Sequence, residues 1–218
     1  MTRRALGEAR RYVVAALALE LVLAPLGILR GRLLAGVGAL CLAFFRDPDR
    51  ELEPEADTLY APADGVIVGI DSAPEPWLPG SDALRISTFL ALYDVHVNRA
   101  PAPGEIALAE TVPGSFAPAF LGRATDNHRK RLAIDDGARR VVLVQIAGMV
   151  ARRISSWAWQ GDRVSPGDRI AIIHFGSRAE VLVPAGAAEP LVAVGERVKA
   201  GITPIARYVP AVPGTVAA

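Results

Sequence analysis

Cysteine occurs once in the 218 residues, at Cys41, and histidine three times, at His96, His128 and His174. A lone cysteine forms no internal disulfide, which suits a reducing compartment. No histidines or cysteines stand at metal-ligand spacing, so no metal site is expected. A glycine-rich phosphate loop closing on Lys-Ser/Thr is also missing, which removes the P-loop nucleotide chemistries. Neither sign of charge is in excess, since 24 Lys and Arg face 23 Asp and Glu. Without a basic field, nucleic acid is not an expected partner. Finally, no uncharged run reaches the roughly 20 residues that a straight membrane-spanning helix prefers.

Apolar residues are nevertheless abundant, and they crowd into the first 50 positions. Arg3, Arg4, Arg10 and Arg11 precede the run Val13–Leu29, which holds one acid, Glu20, and a Pro25/Gly27 break. Arg30 and Arg32 follow, then Leu33–Phe45. Residues 1–50 are expected to form a hydrophobic helical hairpin that associates with membrane. It either crosses twice with its basic ends cytoplasmic or dips into the surface and returns. Glu20 costs a few kcal/mol in lipid unless it faces protein or headgroups, which favours the shallower placement. No small-residue cleavage site ends the first run, so a removed signal peptide is not expected.

From residue 51 to 218 Pro, Gly and Asp punctuate short apolar runs, the pattern of one β-rich domain. Expected strands are Gly65–Ile70, Leu84–Leu90, Gly104–Thr111, Arg131–Ile134, Arg140–Ile146, Ile170–Phe175, Ala179–Val183 and Leu191–Val194, with Tyr93–Arg99 as a connection. Gly161-Asp-Arg-Val-Ser-Pro-Gly167 and Gly195-Glu-Arg-Val-Lys-Ala-Gly201 repeat a Gly-acid-Arg-Val-x-x-Gly turn. That spacing resembles the turns of lipoyl and biotinyl barrel-sandwich hybrids, and Ala61-Pro-Ala-Asp-Gly-Val66 resembles their first strand. The expected fold is therefore mainly β, a barrel-sandwich-hybrid-like domain behind the hairpin.

Three Gly-Ser pairs occur, and two of them, Gly80-Ser81 and Gly114-Ser115, sit among prolines as turns do. Gly176-Ser177 lies instead between two strand-like runs, Ala171–Phe175 and Ala179–Val183. One chemistry that wants it there is backbone self-cleavage, in which the Ser177 hydroxyl attacks the Gly176 carbonyl and glycine permits the strained geometry. Elimination and hydrolysis would leave a pyruvoyl end, an electron sink that forms a Schiff base with a substrate amine. Among possible bases, His96 lies in the polar cluster Leu92–Pro101, His128 in a charged stretch that reads as a solvated loop, and His174 beside the Gly-Ser bond in a strand. Asp64 reads as a turn residue or as a carboxylate that orients a histidine.

Together these residues resemble the phosphatidylserine decarboxylase proenzymes, in their short, archaeal-type branch. The likeness rests on Phe44-Phe-Arg-Asp-Pro-Asp-Arg50, Ala61-Pro-Ala-Asp-Gly65, Asp94-Val-His-Val-Asn-Arg-Ala-Pro101, Gly114-Ser-Phe116, Asp126-Asn-His-Arg129, Gln145-Ile-Ala-Gly148 with Ala151-Arg-Arg-Ile154, and Phe175-Gly-Ser-Arg178, in that order. The resemblance implies cleavage between Gly176 and Ser177 into a β chain, 1–176, and an α chain whose pyruvoyl group derives from Ser177. These would pair as a heterodimer, with a higher homo-oligomer left open. The implied reaction decarboxylates phosphatidylserine to phosphatidylethanolamine, with Asp64, His96 and Ser177 as catalytic residues. Longer members carry two histidines three apart before the proline, whereas here Arg99 occupies the later position. Arg99 is then a candidate for the substrate's carboxylate or phosphate, and Arg46, Arg50, Arg152 and Arg153 are candidate phosphate contacts. His128 and His174 depart from the family's usual Glu and Arg. The implied location is the cell membrane, with the catalytic domain cytoplasmic. A lipid-anchored adaptor with an intact Gly-Ser bond, or a pyruvoyl decarboxylase for another amine, are the competing readings.

Overall fold

The computed structural model describes residues 2–27, 31–115, 126–148, 152–174 and 177–210. Helix α1 spans Arg3–Leu23, and Thr2 caps it by accepting from the Ala5 amide at 3.4 Å. Helix α2 spans Arg32–Phe44. The two pack as a hairpin closed by Glu20, whose Oε2 accepts the Leu34 amide at 2.9 Å. That amide belongs to the first turn of α2, where helical donors have no partner of their own, so Glu20 caps α2 from across the hairpin.

The expected hydrophobic hairpin is corrected here. No proline stands between Arg3 and Pro25 and the lone Gly7 is tolerated, so α1 starts well before the apolar run and takes in Arg3, Arg4, Glu8, Arg10 and Arg11. Among the described residues, no helix is long and apolar enough to cross a membrane. One face of the hairpin is instead spent on protein. Ala9, Cys41, Phe44 and Phe45 pack with Val95, Val97 and Ile172 of the β region.

Among the described residues fourteen strands follow. An eight-stranded antiparallel sheet contains β2 (Gly65–Pro74), β3 (Asp82–Leu90), β5 (Gly104–Val112), β6 (Arg129–Asp135), β7 (Arg140–Ile146), β9 (Arg163–Val164), β11 (Ser177–Pro184) and β13 (Arg197–Val198). Its order is β13-β2-β3-β11-β7-β6-β5-β9. A three-stranded sheet joins β1 (Thr58–Tyr60), β14 (Pro204–Tyr208) and β12 (Ala188–Pro190), and another joins β4 (Val97–Arg99), β10 (Arg169–Ile173) and β8 (Ile154–Ser156).

This arrangement overturns the barrel-sandwich expectation. The repeat valines Val164 and Val198 are buried in one core, but β9 and β13 lie at opposite edges of a single long sheet. Its edges approach each other at the repeat glycines, where a Cβ on Gly201 would stand 2.9 Å from Gly167 Cα. The sheet therefore curls into a half barrel rather than splitting into two small facing sheets. Leu191–Val194 forms no strand, and Val97–Arg99 does. Residues alternate between faces along each strand. Ile67, Ile86, Leu132, Leu143, Val181 and Val183 fill the inner core, while Val142, Val144, Ile146 and Leu182 pack outward under Leu78.

One crossing positions the site. Strand β10 pairs with β4 and β8, whereas β11 lies between β3 and β7 in the large sheet. The runs flanking Gly176-Ser177 are thus not a pair; the chain passes there from one sheet to another. Phe175 and Gly176 lie outside the described residues, and Ser177 opens the central strand, paired with Leu90.

Candidate active site

Strand β11 is buried along both faces from Ser177 to Val183. By alternation Ser177 shares the inner face with Ala179, beside Leu90 and Ala63. Its Oγ is sealed from water and meets no hydrogen-bond partner among the described residues. The Thr88 hydroxyl, on the residue paired with Ala179, is likewise buried without a partner. Such orphaned groups are rare and costly in a folded interior, and they mark places where chemistry outweighs packing.

His96 approaches from the loop between β3 and β4. Its own carbonyl accepts the Ile173 amide at 3.2 Å, which ties the loop to the end of β10 four residues before Ser177. The ring is fully buried, with Nδ1 3.0 Å from the Asp94 carbonyl. A carbonyl only accepts, so Nδ1 carries the proton and Nε2 keeps its lone pair. That Nε2 also has no partner among the described residues. Burial pushes the imidazole pKa down to about 4, against the opposing pull of the Asp94 carbonyl and of the Asp94 and Asp64 charges. At neutral pH His96 is therefore an uncharged base.

Asp64 stands next to Gly65, whose φ of +156° brings the chain so close to β3 that a Cβ would lie 2.0 Å from the Phe89 carbonyl oxygen. The Asp64 carboxylate is gripped by Arg50 at 2.6 and 2.8 Å and accepts the Ala200 amide at 2.8 Å. Asp64 hydrogen-bonds to neither histidine, though its charge bears on His96. Arg50, a candidate phosphate contact, is committed to this pair.

His174, expected in a strand, follows the last residue of β10 and is fully buried. Its Nδ1 lies 3.2 Å from an Arg11 nitrogen and 3.3 Å from the Tyr12 hydroxyl. A guanidinium can only donate, so Nδ1 accepts and Nε2–H donates to Ser155 Oγ at 3.1 Å. Burial, then the charges of Arg11 and Arg153, push its pKa down to about 3. Glu8 lies 3.7 Å from Nε2, but it also faces Arg153 at 3.5 Å, and the ring stays neutral. The end of α2 covers both histidines: Phe44 lies 4.3 Å from the His96 ring and Phe45 5.5 Å from the His174 ring, centroid to centroid.

The remaining candidates are dispersed. Arg99 donates to the carbonyls of Gly167 and Pro48, both at 2.9 Å. It lines a polar cavity of about 560 Å³ together with Arg4, Arg50 and Arg169. Arg46 donates to the Ala43 and Tyr93 carbonyls. Arg152 and Arg153 are exposed, Arg152 with φ at +54°. His128 is held through its backbone between Ser115 and Ala147. Polar side chains within the motifs, to which the sequence assigned no role, knit several of them together. Gln145 donates to Asn98 at 2.9 Å, Asn127 to the Ala147 carbonyl at 2.9 Å, and Ser115 to Asn127 at 3.0 Å. Gln145 inside the apolar run Val141–Ile146 was the one available signal, since a polar residue in a buried strand needs a reason.

Comparison with known proteins then defines the class. A family model described as phosphatidylserine decarboxylase matches residues 37–206. The phosphatidylserine decarboxylase proenzyme of Symbiobacterium thermophilum is 42% identical over 179 residues, covering 81% of this chain and 83% of that protein. That of Mycobacterium tuberculosis is 42% identical over 203 residues, covering 90% and 87%. That of Ruegeria pomeroyi is 38% identical over 205 residues, covering 91% and 93%. The chain is thus placed among the decarboxylases, carbon–carbon lyases of phospholipid metabolism. More particularly, it belongs to the phosphatidylserine decarboxylase family.

Proposed function

We propose that this chain cuts itself between Gly176 and Ser177 and then decarboxylates phosphatidylserine at a membrane surface. The observation that carries the reading is a pair of buried atoms, Ser177 Oγ and His96 Nε2, that meet no partner among the described residues. A neutral imidazole with an open lone pair is suited to take the hydroxyl proton. The Ser177 oxygen then bonds to the Gly176 carbonyl carbon, the C–N bond breaks, and the freed nitrogen takes a proton, leaving an ester. Loss of the Ser177 Cα proton breaks the Cβ–O bond and releases the Gly176 carboxylate. Water converts the remaining dehydroalanine to a pyruvoyl end, with loss of ammonia.

The orphaned Ser177 and Thr88 hydroxyls and the apolar wall of Ala63, Leu90 and Ala179 suit a small carbonyl group at this position. A pyruvoyl group supplies an electron-accepting carbonyl for an amine substrate as carbon dioxide leaves. In this reading His96 takes up and returns the proton, and Asp64 biases that imidazole through its charge. Arg152 and Arg153 are kept as candidate phosphate contacts for their exposure, Arg153 also facing Glu8 at 3.5 Å, whereas Arg99 serves carbonyls of its own chain. The apolar groove between the helices, about 320 Å³, ends on Phe44 and Phe45 and so leads toward both histidines. Exposed Leu17, Leu19, Leu21 and Val22, with Arg3, Arg4 and Arg10 on the same helix, favour peripheral seating on an anionic bilayer. Residues 1–50 then act as the membrane-associating unit and 51–218 as the catalytic one, working as an α–β heterodimer. Placement in the short, archaeal-type branch belongs to the same proposal and rests on the sequence alone, with Arg99 in place of a second histidine.

Intact mass of the purified chain tests the reading. Two fragments divided at 176/177 are expected, the smaller without a free amino terminus, and Ser177→Ala should remain one inactive 23.0 kDa species. An uncut wild-type chain would overturn self-processing and favour an adaptor. Turnover of a soluble amino acid but not of serine-headed lipid would move the substrate assignment to another amine.

A further inference from the structure

Three residues of α1, Glu8, Arg11 and Tyr12, stand at i, i+3 and i+4 and so share one helical face. All three close on His174, at 3.7, 3.2 and 3.3 Å, across more than 160 positions of sequence. From the opposite side Ser155 receives the Nε2 proton at 3.1 Å, and Arg153 Nε donates to the same hydroxyl at 3.1 Å. The His174 amide donates to the Arg153 carbonyl at 3.0 Å, and Phe45 presents an edge to the ring. Both ring nitrogens are thus occupied, and the backbone is held as well. His96 differs, since its Nε2 meets no partner among the described residues. A group so fully engaged is unsuited to moving protons and well suited to holding the chain still. What it holds is the point where the chain leaves β10, three residues before Ser177 enters the central strand.

Resting on the self-cleavage reading, we propose that His174 is a positioning residue for cutting at Gly176–Ser177, and that α1 is the clamp which sets it through Arg11 and Tyr12. The hairpin then does more than rest beside lipid. When α1 is seated, the ring fixes the carbonyl side of the bond that the Ser177 hydroxyl attacks.

The test uses the full chain made by cell-free synthesis, quenched at intervals, with the fraction cut at 176/177 read by intact mass. His174→Ala is expected to slow cutting about 10- to 100-fold, the scale of an ångström of misplacement. His174→Gln should recover most of the rate, since its amide oxygen accepts from Arg11 and Tyr12 while its NH2 donates to Ser155. Tyr12→Phe, which removes one oxygen and keeps the ring, should slow cutting about 3- to 10-fold. Combined with His174→Ala it should add nothing further, because the two share one interaction. Cutting by His174→Ala at the parent rate, no recovery with Gln, or additive effects in the double variant would each overturn the positioning role. In those cases the parent still cuts itself and the self-processing reading stands. A parent chain that stays whole sinks both. If His174→Ala fails to fold, Tyr12→Phe and His174→Gln decide the matter.

Discussion

His96 and His174 occupy equally dry surroundings yet differ in what their nitrogens can do. Burial holds both rings neutral, His96 with its pKa down to about 4 and His174 to about 3. An unfolded histidine titrates near 6.5. A depressed folded value means that the folded state resists protonation, so the stabilisation is complete above pH 6.5 and is lost as pH falls toward 4 and then 3. The slope in that window is about 1.4 kcal/mol per pH unit for each histidine. Urea midpoints of the uncut Ser177→Ala chain should therefore drop steeply below pH 6.5. His174→Gln in that background should remove roughly half of the slope. At the same scale, His96→Ala is expected to abolish carbon dioxide release from phosphatidylserine, measured on chain that has already been cut. Undiminished release would refute its role as the proton carrier. Asp64→Asn leaves Arg50 facing a neutral amide in a nearly closed setting, and slower accumulation of the 176/177 fragments is expected.

Two elements carry a contact that their own propensities do not supply. At the start of β2 Gly65 lets the chain pass hard against β3: any Cβ would stand 2.0 Å from the Phe89 carbonyl oxygen. Gly65→Ala should cost roughly 3 kcal/mol or more and displace the adjoining Asp64, visible as a lowered urea midpoint together with slower cutting. The hairpin depends on Glu20, which caps Leu34. Glu20→Ala leaves that amide unmet and should cost about 1 to 3 kcal/mol, while Glu20→Gln, with an oxygen that still accepts, should cost less. Amide hydrogen exchange at Leu34 reads the difference directly.

Across the whole molecule, the turn from hairpin to half barrel is held by buried charge. The Asp47 side chain is fully enclosed, accepts from Arg169 at 2.9 Å and lies 3.5 Å from Arg99. Removing one partner of such a buried set typically costs about 3 to 5 kcal/mol, because the other charges stay buried without balance. Asp47→Ala should accordingly lower the urea midpoint and open the segment after Phe45 to protease. A hairpin that stays equally protected would mean that the apolar contact of Phe44 and Phe45 suffices by itself.

Much of this was written locally. Short apolar runs bounded by turn residues announce strands such as Arg140–Ile146, which β7 reproduces, because run length and turn chemistry act over a few neighbours. The Gly-Ser bond between two apolar runs was legible for the same reason. The sheet that each strand joins was not, since β9 and β13 carry the same turn motif and end at opposite edges of one sheet. Nor could spacing reveal that α1 spends Arg11 and Tyr12 on a histidine 163 and 162 positions away, or that Arg50 takes the carboxylate of Asp64. Local pattern settles what a segment becomes. Only closure of the chain decides which buried groups find partners, because that depends on what lands opposite them.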